Sequence, residues 1–276
     1  EEGSEHWARR LQRSVMTGVS YMVPFVAAGG LLLALGFLVG GYQIGEQVNG
    51  IDPWKQFVTE YSLTNLPPTT VDFDGKEVAF AYPAFALYLG SVLFATGQAA
   101  MGFVVAALSG YISYAMAGRP GIAPGFVSGA ISVTLGAGFI GGLVTGLLSG
   151  AVAMWLGNQK VPKVLQSLMP VVIIPLGTSL VVGLVMFLLL GRPLAAILSG
   201  LQNWLTSMSG SSALLLGVIL GLMMCFDLGG PVNKAAYLFA TAGLSTGDEA
   251  SLKIMAAVMG AGMIPPIALS IATMLR

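Results

Sequence analysis

The pattern of hydrophobic and polar positions predicts a chain built from helices that cross a membrane. A helix needs roughly 20 apolar residues to cross about 30 Å of hydrocarbon. Long apolar stretches occupy residues 18–40, 170–190 and 254–275. We therefore predict an all-α fold, a polytopic membrane helix bundle, rather than a soluble domain with one buried core.

The apolar stretch at residues 79–118 is too long for one straight span, because about forty residues of α-helix would reach about 60 Å. We expect a short interfacial or re-entrant piece near residues 83–96 and a span near residues 98–118. Gly97 and Gln98 mark the predicted break between the two pieces. The bundle should therefore contain re-entrant or broken segments.

Residues 120–157 form a second, glycine-rich apolar stretch with cations on both sides. Arg119 precedes it and Lys160 follows it, and such cations favour the cytoplasmic face of a membrane. Two flanks on one side require the chain to cross and return, so we predict a helical hairpin that turns at Gly136-Ala137-Gly138. Small residues suited to tight helix packing then recur at Gly142, Gly146 and Gly150.

The chain starts with a polar segment, residues 1–17, which we predict to be a cytoplasmic linker carrying an amphipathic interfacial helix. Apolar and cationic side chains fall on opposite helix faces: Trp7, Leu11 and Val15 on one, and Arg9, Arg10, Gln12 and Arg13 on the other. Helices of this kind lie in the membrane interface with their cations near lipid head groups. A solvated linker is the alternative, because the stretch is short.

Residues 41–78 form the one long polar stretch of the sequence, and its charge is mostly acidic. The acidic residues are Glu46, Asp52, Glu60, Asp72, Asp74 and Glu77, against the cations Lys55 and Lys76. Loops poor in cations favour the outer side of the membrane. We predict an extracytoplasmic acidic loop with turns at Pro67-Pro68 and Asp74-Gly75, inserted in a membrane transport domain that covers residues 18–276.

Composition agrees with a membrane protein and excludes several other classes. Charged residues make up 9% of the chain and hydrophobic residues 55%, whereas a soluble domain is about 25% charged. The net charge is zero, so a basic surface for nucleic acid is not indicated. The single cysteine, Cys225, and the single histidine, His6, exclude an internal disulfide and a cysteine-cluster metal site. We expect no bound metal.

Gly136, Gly138 and Gly141 match the Gly-x-Gly-x-x-Gly spacing of dinucleotide-binding loops. Such a loop needs a preceding strand and an acidic residue about 20 positions further on. Here the glycines lie inside an apolar stretch, and Lys160 follows where an acid would be needed. We interpret these glycines as packing and turn residues and expect no organic cofactor.

The most informative polar residues interrupt an apolar region late in the sequence. Asp227 and Lys234 lie between apolar stretches, where ionisable groups are costly and usually face a bundle interior or a substrate path. Gly229-Gly230-Pro231 should break the helix between them, and unwound backbone is tolerated where it lines a cavity. Together with the Asn233 side chain, such backbone can hydrogen-bond a polyol. The alternative is that Asp227 and Lys234 simply pair and pin two half-helices.

This segment, Asp227-Leu-Gly-Gly-Pro-Val-Asn-Lys-Ala-Ala-Tyr237, is similar to a hallmark of the fructose-type IIC membrane domains of the bacterial sugar phosphotransferase system. Other stretches resemble the same family in the family's order: Met16-Thr-Gly-Val-Ser-Tyr-Met-Val-Pro-Phe25, Arg119-Pro-Gly-Ile-Ala-Pro-Gly125, Gly138-Phe-Ile-Gly-Gly142, residues 164–175 and Gly262-Met-Ile-Pro-Pro266. They cover most of the chain and are specific in combination. The acidic stretch at 41–78 is the least similar.

The resemblance implies a sugar permease of the bacterial cytoplasmic (inner) membrane. A sugar, usually fructose in this family, binds from outside and receives a phosphoryl group from a phosphocysteine of a IIB domain on the cytoplasmic side. Family members are commonly homodimers within the lipid bilayer. The substrate-binding residues expected here are Asp227, Gly229, Gly230, Pro231, Asn233 and Lys234, and the catalytic residues stay unassigned.

The family also carries a second signature after the span that contains Pro265-Pro266, reading roughly Thr-Glu-Gly-Ala-Ile-Pro-Phe. Its glutamate is implicated in the sugar site. This sequence contains neither that segment nor a IIB phosphocysteine loop. We therefore expect an excerpt of a longer protein, or a broken copy, that does not catalyse phosphoryl transfer by itself.

Two other functions stay open at the level of sequence. The chain could be an ion-coupled or facilitative transporter that does not modify its solute, with Asp227 as the ion-coupling carboxylate. It could also be a non-catalytic membrane module that only binds a partner. Uptake into vesicles, measured with and without a phosphorylated IIB domain, separates these functions from a phosphotransferase permease.

Overall fold

A computed structural model describes residues 7–207, 211–226, 231–242 and 249–274. The described residues form two compact units. One is Val23–Val104, and the other joins the residues up to Met22 with those from Val105 onward. The prediction of an all-α fold is confirmed, and a single β-hairpin is the exception among the described residues.

The described helices, in chain order, are α1 (Trp7–Gly40), α2 (Pro53–Glu60), α3 (Ala84–Gly102), α4 (Val104–Ala117), α5 (Ile122–Thr134), α6 (Gly138–Gly157), α7 (Lys163–Gln166), α8 (Ile174–Val185), α9 (Gly191–Ser207), α10 (Ser211–Phe226), α11 (Pro231–Ala242) and α12 (Glu249–Met274). The strands are β1 (Thr70–Phe73) and β2 (Lys76–Ala79). Turns of 3₁₀-helix at Tyr42–Gly45 and Arg119–Gly121, and of π-helix at Met169–Ile173 and Met186–Leu190, link some of the helices.

Within the described residues, five helical stretches are long and apolar enough to cross a membrane. They are Trp7–Gly40, Ala84–Ala117, Gly138–Gly157, Met169–Gly200 and Leu252–Met274. Ser212–Phe226 is apolar but shorter. The helices predicted at residues 18–40, 170–190 and 254–275 are therefore confirmed over their described parts.

α1 is one uninterrupted helix, so the amphipathic helix predicted at residues 5–17 and the span predicted at 18–40 are parts of one element. Nothing in the sequence breaks the helix where they meet. The Ser14 and Thr17 hydroxyls each donate to a backbone carbonyl four residues earlier, both at 2.8 Å, so these polar side chains are satisfied within the helix. Whether the first turns lie in the membrane interface stays a prediction.

The acidic stretch at residues 41–78, where the sequence pattern predicted a loop, folds around an apolar core that it shares with α3. The fully or nearly buried residues of this core are Ile44, Val48, Phe57, Val71, Phe73, Phe80, Leu87 and Phe94. The polar residues Thr70 and Asp72 alternate with Val71 and Phe73 along β1 and obscure the apolar pattern. A strand with alternate buried positions needs only two apolar residues, too few for a clear hydrophobic signal.

The turn predicted at Asp74-Gly75 is confirmed as the link between β1 and β2, which pair antiparallel with Phe73 opposite Lys76. Both turn residues have positive φ, 49° at Asp74 and 85° at Gly75. Two-residue hairpins of this type require positive φ at both central positions, which Asp-Gly tolerates. The Asp72 carboxylate also accepts a bond from the Gly75 amide at 2.8 Å.

The interruption within residues 79–118 falls at Phe103, between α3 and α4, and not at Gly97-Gln98 as predicted. Gly97 instead permits close packing of α1 on α3. A Cβ atom at Gly97 would lie 2.8 Å from the Gly29 carbonyl oxygen and 2.8 Å from the Leu33 amide nitrogen. The glycine was mistaken for a helix breaker because a packing glycine and a breaking glycine look alike in sequence.

The hairpin predicted at residues 120–157 is confirmed: α5 ends at Thr134, α6 begins at Gly138, and Gly136 in the turn has a φ of 71°. The predicted packing role of the α6 glycines is confirmed as well. A Cβ atom at Gly146 would lie 2.9 Å from the Ser109 carbonyl oxygen, and one at Gly150 would lie 2.6 Å from the Met116 sulfur. α6 therefore packs almost backbone to backbone on α4.

Candidate functional site

The polar segment singled out from the sequence lies between two apolar helices. α10 ends at Phe226 and α11 begins at Pro231, a residue type suited to a first helical position. Asp227, Gly229 and Gly230 lie outside the described residues. Pro231 and Lys234 belong to the start of α11, but their side chains lie outside the description as well. Asn233 is the predicted site residue whose side chain the structure describes.

Asn233 links α11 to α10 through a short hydrogen bond. Its Nδ2 donates to the Met224 carbonyl oxygen at 2.7 Å, and the Asn233 side chain is half-buried. Met224 lies in the last turn of α10, where helix carbonyls lose their usual amide partners. The amide of Asn233 thus caps α10 and fixes how the two helices meet beside the predicted break.

A partly open cavity of about 380 Å³ lies beside this hydrogen bond, between α10, α11 and α12. Its lining residues are Met224, Asn233, Gly262, Pro265, Pro266 and Leu269. Small-molecule sites are mostly apolar, with a few placed polar groups and volumes of about 300–1,000 Å³. Asn233 supplies the polar side chain here, and Met224 and Leu269 supply apolar walls. The cavity therefore falls within the size range of small-molecule sites and has one polar side chain at its wall.

Two adjacent prolines inside α12 change the backbone chemistry of one cavity wall. Pro265 and Pro266 have no N–H group, so they cannot donate to the carbonyls of Ala261 and Gly262 four residues earlier. The Cys225 thiol donates to the Ala261 carbonyl oxygen, with an S–O distance of 3.6 Å, and so compensates for Pro265. In a membrane, backbone groups released in this way need such partners.

The structure thus brings together two segments that were separate in sequence, the polar segment around Asn233 and the proline pair of α12. Residues 262–266 had matched the family pattern, but none of them was predicted as a site residue. Met224 and Leu269 were also missed. These residues contribute backbone atoms or apolar surface to the cavity, and neither gives a polar signal in the sequence. The adjacent prolines in an apolar stretch were the one sequence feature that could have indicated them.

A second polar cluster lies between α4, α5 and α6, and sequence reasoning missed it entirely. Its members are all 0% exposed: Ser109, Ser128, Ser132, Thr145 and Ser149. Ser109 and Thr145 hydroxyls are 2.9 Å apart, and the Ser149 hydroxyl donates to Ser128 Oγ at 3.1 Å. These hydroxyls bond to one another and to nearby carbonyls, and none of them lines the cavity. Their arrangement is that of a packed scaffold.

Cations gather at one end of the unit that holds the site. The Arg10 guanidinium donates to the Met116 carbonyl oxygen at 3.3 Å and contacts the Met154 sulfur at 2.9 Å. This places the start of α1 beside the ends of α4 and α6, which Arg119 and Lys160 follow in the sequence. Among the described residues, no group of three His, Cys, Asp or Glu side chains could hold a metal ion.

Comparison with known proteins agrees with the resemblance noted in the sequence. The family described as "Phosphotransferase system, EIIC" matches residues 16–276. A PTS system fructose-specific EIIC component of Haloferax volcanii is 36% identical over 98% of this chain and 68% of its own length. A PTS system fructose-specific EIIB'BC component of Escherichia coli K12 is 42% identical over 95% of this chain and 39% of its own length.

A PTS system fructose-specific EIIABC component of Bacillus subtilis 168 is 36% identical over 95% of this chain and 36% of its own length. The chain thus spans about two thirds of the first of these relatives and less than half of the other two. No solved structure matches the chain. Given the match to residues 16–276 and five membrane-length helical stretches, the chain belongs to the EIIC family of the phosphotransferase system and is a multi-pass membrane protein.

Proposed function

We propose that this chain is a fructose permease domain of a phosphotransferase system, which binds the sugar within the membrane and presents it to a phosphorylated IIB domain. Family membership supports the system, and the names of the relatives support fructose. The observation that carries the proposal is the cavity of about 380 Å³ among α10, α11 and α12, with the Asn233 amide at its wall.

The sugar site in this proposal combines the cavity with the polar segment that precedes and includes Asn233. The Asp227 carboxylate and the Asn233 amide would hydrogen-bond sugar hydroxyls, and Lys234 would balance the charge of Asp227. Gly229, Gly230 and Pro231 would supply backbone groups from the segment that separates α10 and α11. Helices interrupted near a membrane site in this way commonly hold the substrate of a transporter.

The proposed partner is a IIB domain that carries a phosphocysteine. In the names EIIB'BC and EIIABC of the relatives, IIB is fused to the EIIC part, which supports a IIB partner for this chain. The sulfur–phosphorus bond of the phosphocysteine would break, an oxygen–phosphorus bond to a fructose hydroxyl would form, and the leaving cysteine sulfur would take up the hydroxyl proton to become a thiol. A charged sugar phosphate cannot return across the bilayer. The same names disfavour an ion-coupled transporter that leaves its solute unmodified.

We place the N-terminus in the cytoplasm and the acidic stretch at residues 41–78 on the outer side. Arg10 contacts the ends of α4 and α6, and Arg119 and Lys160 follow those two helices in the sequence. Cations favour the cytoplasmic side, which supports this orientation. We further propose a homodimer in the lipid bilayer of the cytoplasmic (inner) membrane, as is common in the family.

The single cysteine of the sequence makes a thiol-protection test simple. Cys225 is exposed but does not line the cavity, so Cys225→Ser should remove background labelling. In that background Leu269→Cys places a thiol at the cavity wall, and we expect fructose to slow its maleimide labelling at least about tenfold, because a bound sugar would cover it. Ser199→Cys on α9, in the same background, should label at a rate that fructose does not change. Equal labelling of the Leu269→Cys thiol with and without saturating fructose would contradict the proposed site.

A further inference from the structure

We propose that the Gly262 carbonyl of α12 accepts a hydrogen bond from one hydroxyl of the sugar, and that Pro266 keeps this carbonyl available. The inference rests on the proposed function, because it names a contact inside the same cavity. The inference assigns a binding role to a backbone carbonyl, in addition to the polar side chains proposed within residues 227–234.

The geometry of an α-helix aims the Gly262 carbonyl at the proline. A helix carbonyl points along the axis toward the amide four residues later. For Gly262 that position is Pro266, which has no N–H group to donate. Both residues line the cavity, and Gly262 can do so only with backbone atoms because it has no side chain. The residue whose carbonyl lacks its helical donor is therefore one that lines the cavity.

The neighbouring proline provides a contrast within the same helix turn. Pro265 withholds a donor from the Ala261 carbonyl in the same manner. That carbonyl, however, accepts a bond from the Cys225 thiol, and Ala261 is not among the cavity-lining residues. The proline pair thus leaves two carbonyls without a helical donor. The Cys225 thiol donates to the Ala261 carbonyl, and in this proposal a sugar hydroxyl in the cavity donates to the Gly262 carbonyl.

The absence of a side chain at position 262 keeps the wall open. A Cβ atom there would lie 3.1 Å from the terminal methyl group of Met224, another lining residue, and would crowd it. A carbonyl can only accept hydrogen bonds, so the sugar hydroxyl must act as the donor. The substrate class that suits this wall is therefore a polyol with a hydroxyl free to donate, and an ether or a methylated sugar does not satisfy it.

Monodeoxy and monofluoro analogues of fructose test the contact. Replacing a hydroxyl with hydrogen removes both its donor and its acceptor, whereas replacing it with fluorine removes only the donor. We expect one ring position at which both analogues compete about tenfold less well than fructose for the wild-type protein. Pro266→Ala restores an N–H that bonds the Gly262 carbonyl, so the penalty at that position should fall to within about twofold. Pro265→Ala is the matched control, because its new N–H reaches Ala261, and it should keep the tenfold penalty.

A penalty in Pro266→Ala as large as in wild type overturns the inference. Alanine is a better helix former than proline, so the variant should insert. If it does not, Pro266→Ser, which restores the same N–H, takes its place. In the wild-type protein, fluoro analogues equal to fructose at every position overturn the contact. If fructose binds and protects the Leu269→Cys thiol but the Pro266→Ala pattern is unchanged, only this inference is rejected. If fructose does not bind at all, the proposed function is rejected with it.

Discussion

Two groups of helices in the same unit pack in opposite ways. α4, α5 and α6 meet through glycines and fully buried hydroxyls, and a Cβ atom at Gly146 would lie 2.9 Å from the Ser109 carbonyl oxygen. α10, α11 and α12 instead surround a partly open cavity, and a Cβ atom at Gly217 of α10 would meet no neighbouring element within 4 Å. The first group is closely packed, whereas the second leaves open space between and around its helices.

The polar groups of the two regions follow the same division. In the first group, hydroxyls such as Thr145 have protein partners on neighbouring helices. In the second, Pro265 and Pro266 remove backbone donors beside a cavity, and the Asn233 amide reaches across to cap α10. The comparison shows a closely packed group in α4–α6 and a group in α10–α12 that leaves room for the solute site proposed above.

The largest expected effect is on uptake, from changes in the site. Asn233→Ala or Asp227→Asn should lower fructose uptake about 100-fold or more, because each removes a hydrogen bond to the sugar in a membrane setting. Uptake should be measured in vesicles supplied with a phosphorylated IIB domain, with protein insertion checked by immunoblot. Asn158→Ala, an exposed residue at the end of α6, should leave uptake unchanged. Normal uptake by both site variants would refute the assignment.

An added methyl group should destabilise the closely packed α6 but not α10. Gly146→Ala should destabilise the protein by about 1–3 kcal/mol, because the new methyl group meets α4 backbone that cannot move independently. Gly217→Ala, with open space around it, should be neutral or stabilise by up to about 1 kcal/mol. Thermal unfolding in detergent measures both. Equal destabilisation by the two variants would remove the distinction between the regions.

The buried hydroxyls should contribute less than the glycine contacts. Thr145→Val keeps the shape of the side chain but removes the hydroxyl, which lies 2.9 Å from Ser109 Oγ, and should cost about 1–2 kcal/mol. Thr134→Val is the control, because the exposed Thr134 hydroxyl bonds only its own helix at 3.2 Å, and it should change stability by less than about 0.5 kcal/mol. A Thr145→Val protein as stable as wild type would show that the hydroxyls are incidental.

The smallest effect is expected at Cys225, whose thiol is a weak donor. Cys225→Ala removes the donor to the Ala261 carbonyl and should cost about 0.5–1 kcal/mol. Cys225→Ser keeps a donor and should stay closer to wild type in the same unfolding assay. If serine is the more damaging of the two, the hydrogen bond to Ala261 does not matter and the sulfur acts through packing.

The sequence alone determined the class of the protein and the positions of several of its membrane-length helices. Apolar stretches of membrane length predicted helices that the structure contains, because helix length and apolar composition are set locally by the bilayer thickness. The turn at Gly136 and the hairpin turn at Asp74-Gly75 were also predictable, since positive φ favours few residue types. Asn233 was predicted because a polar side chain stands out in an apolar run.

Only the tertiary structure decided what these residues face. It placed the Pro265-Pro266 backbone beside Asn233, gave Gly97 a packing role instead of a break, and buried Phe57 and Phe73 within an apparent loop. The physical reason is that a glycine, a proline or a backbone carbonyl looks the same in sequence whether it breaks a helix, packs against one or lines a cavity. Its partner comes from a distant part of the chain, and contact with that partner decides its role.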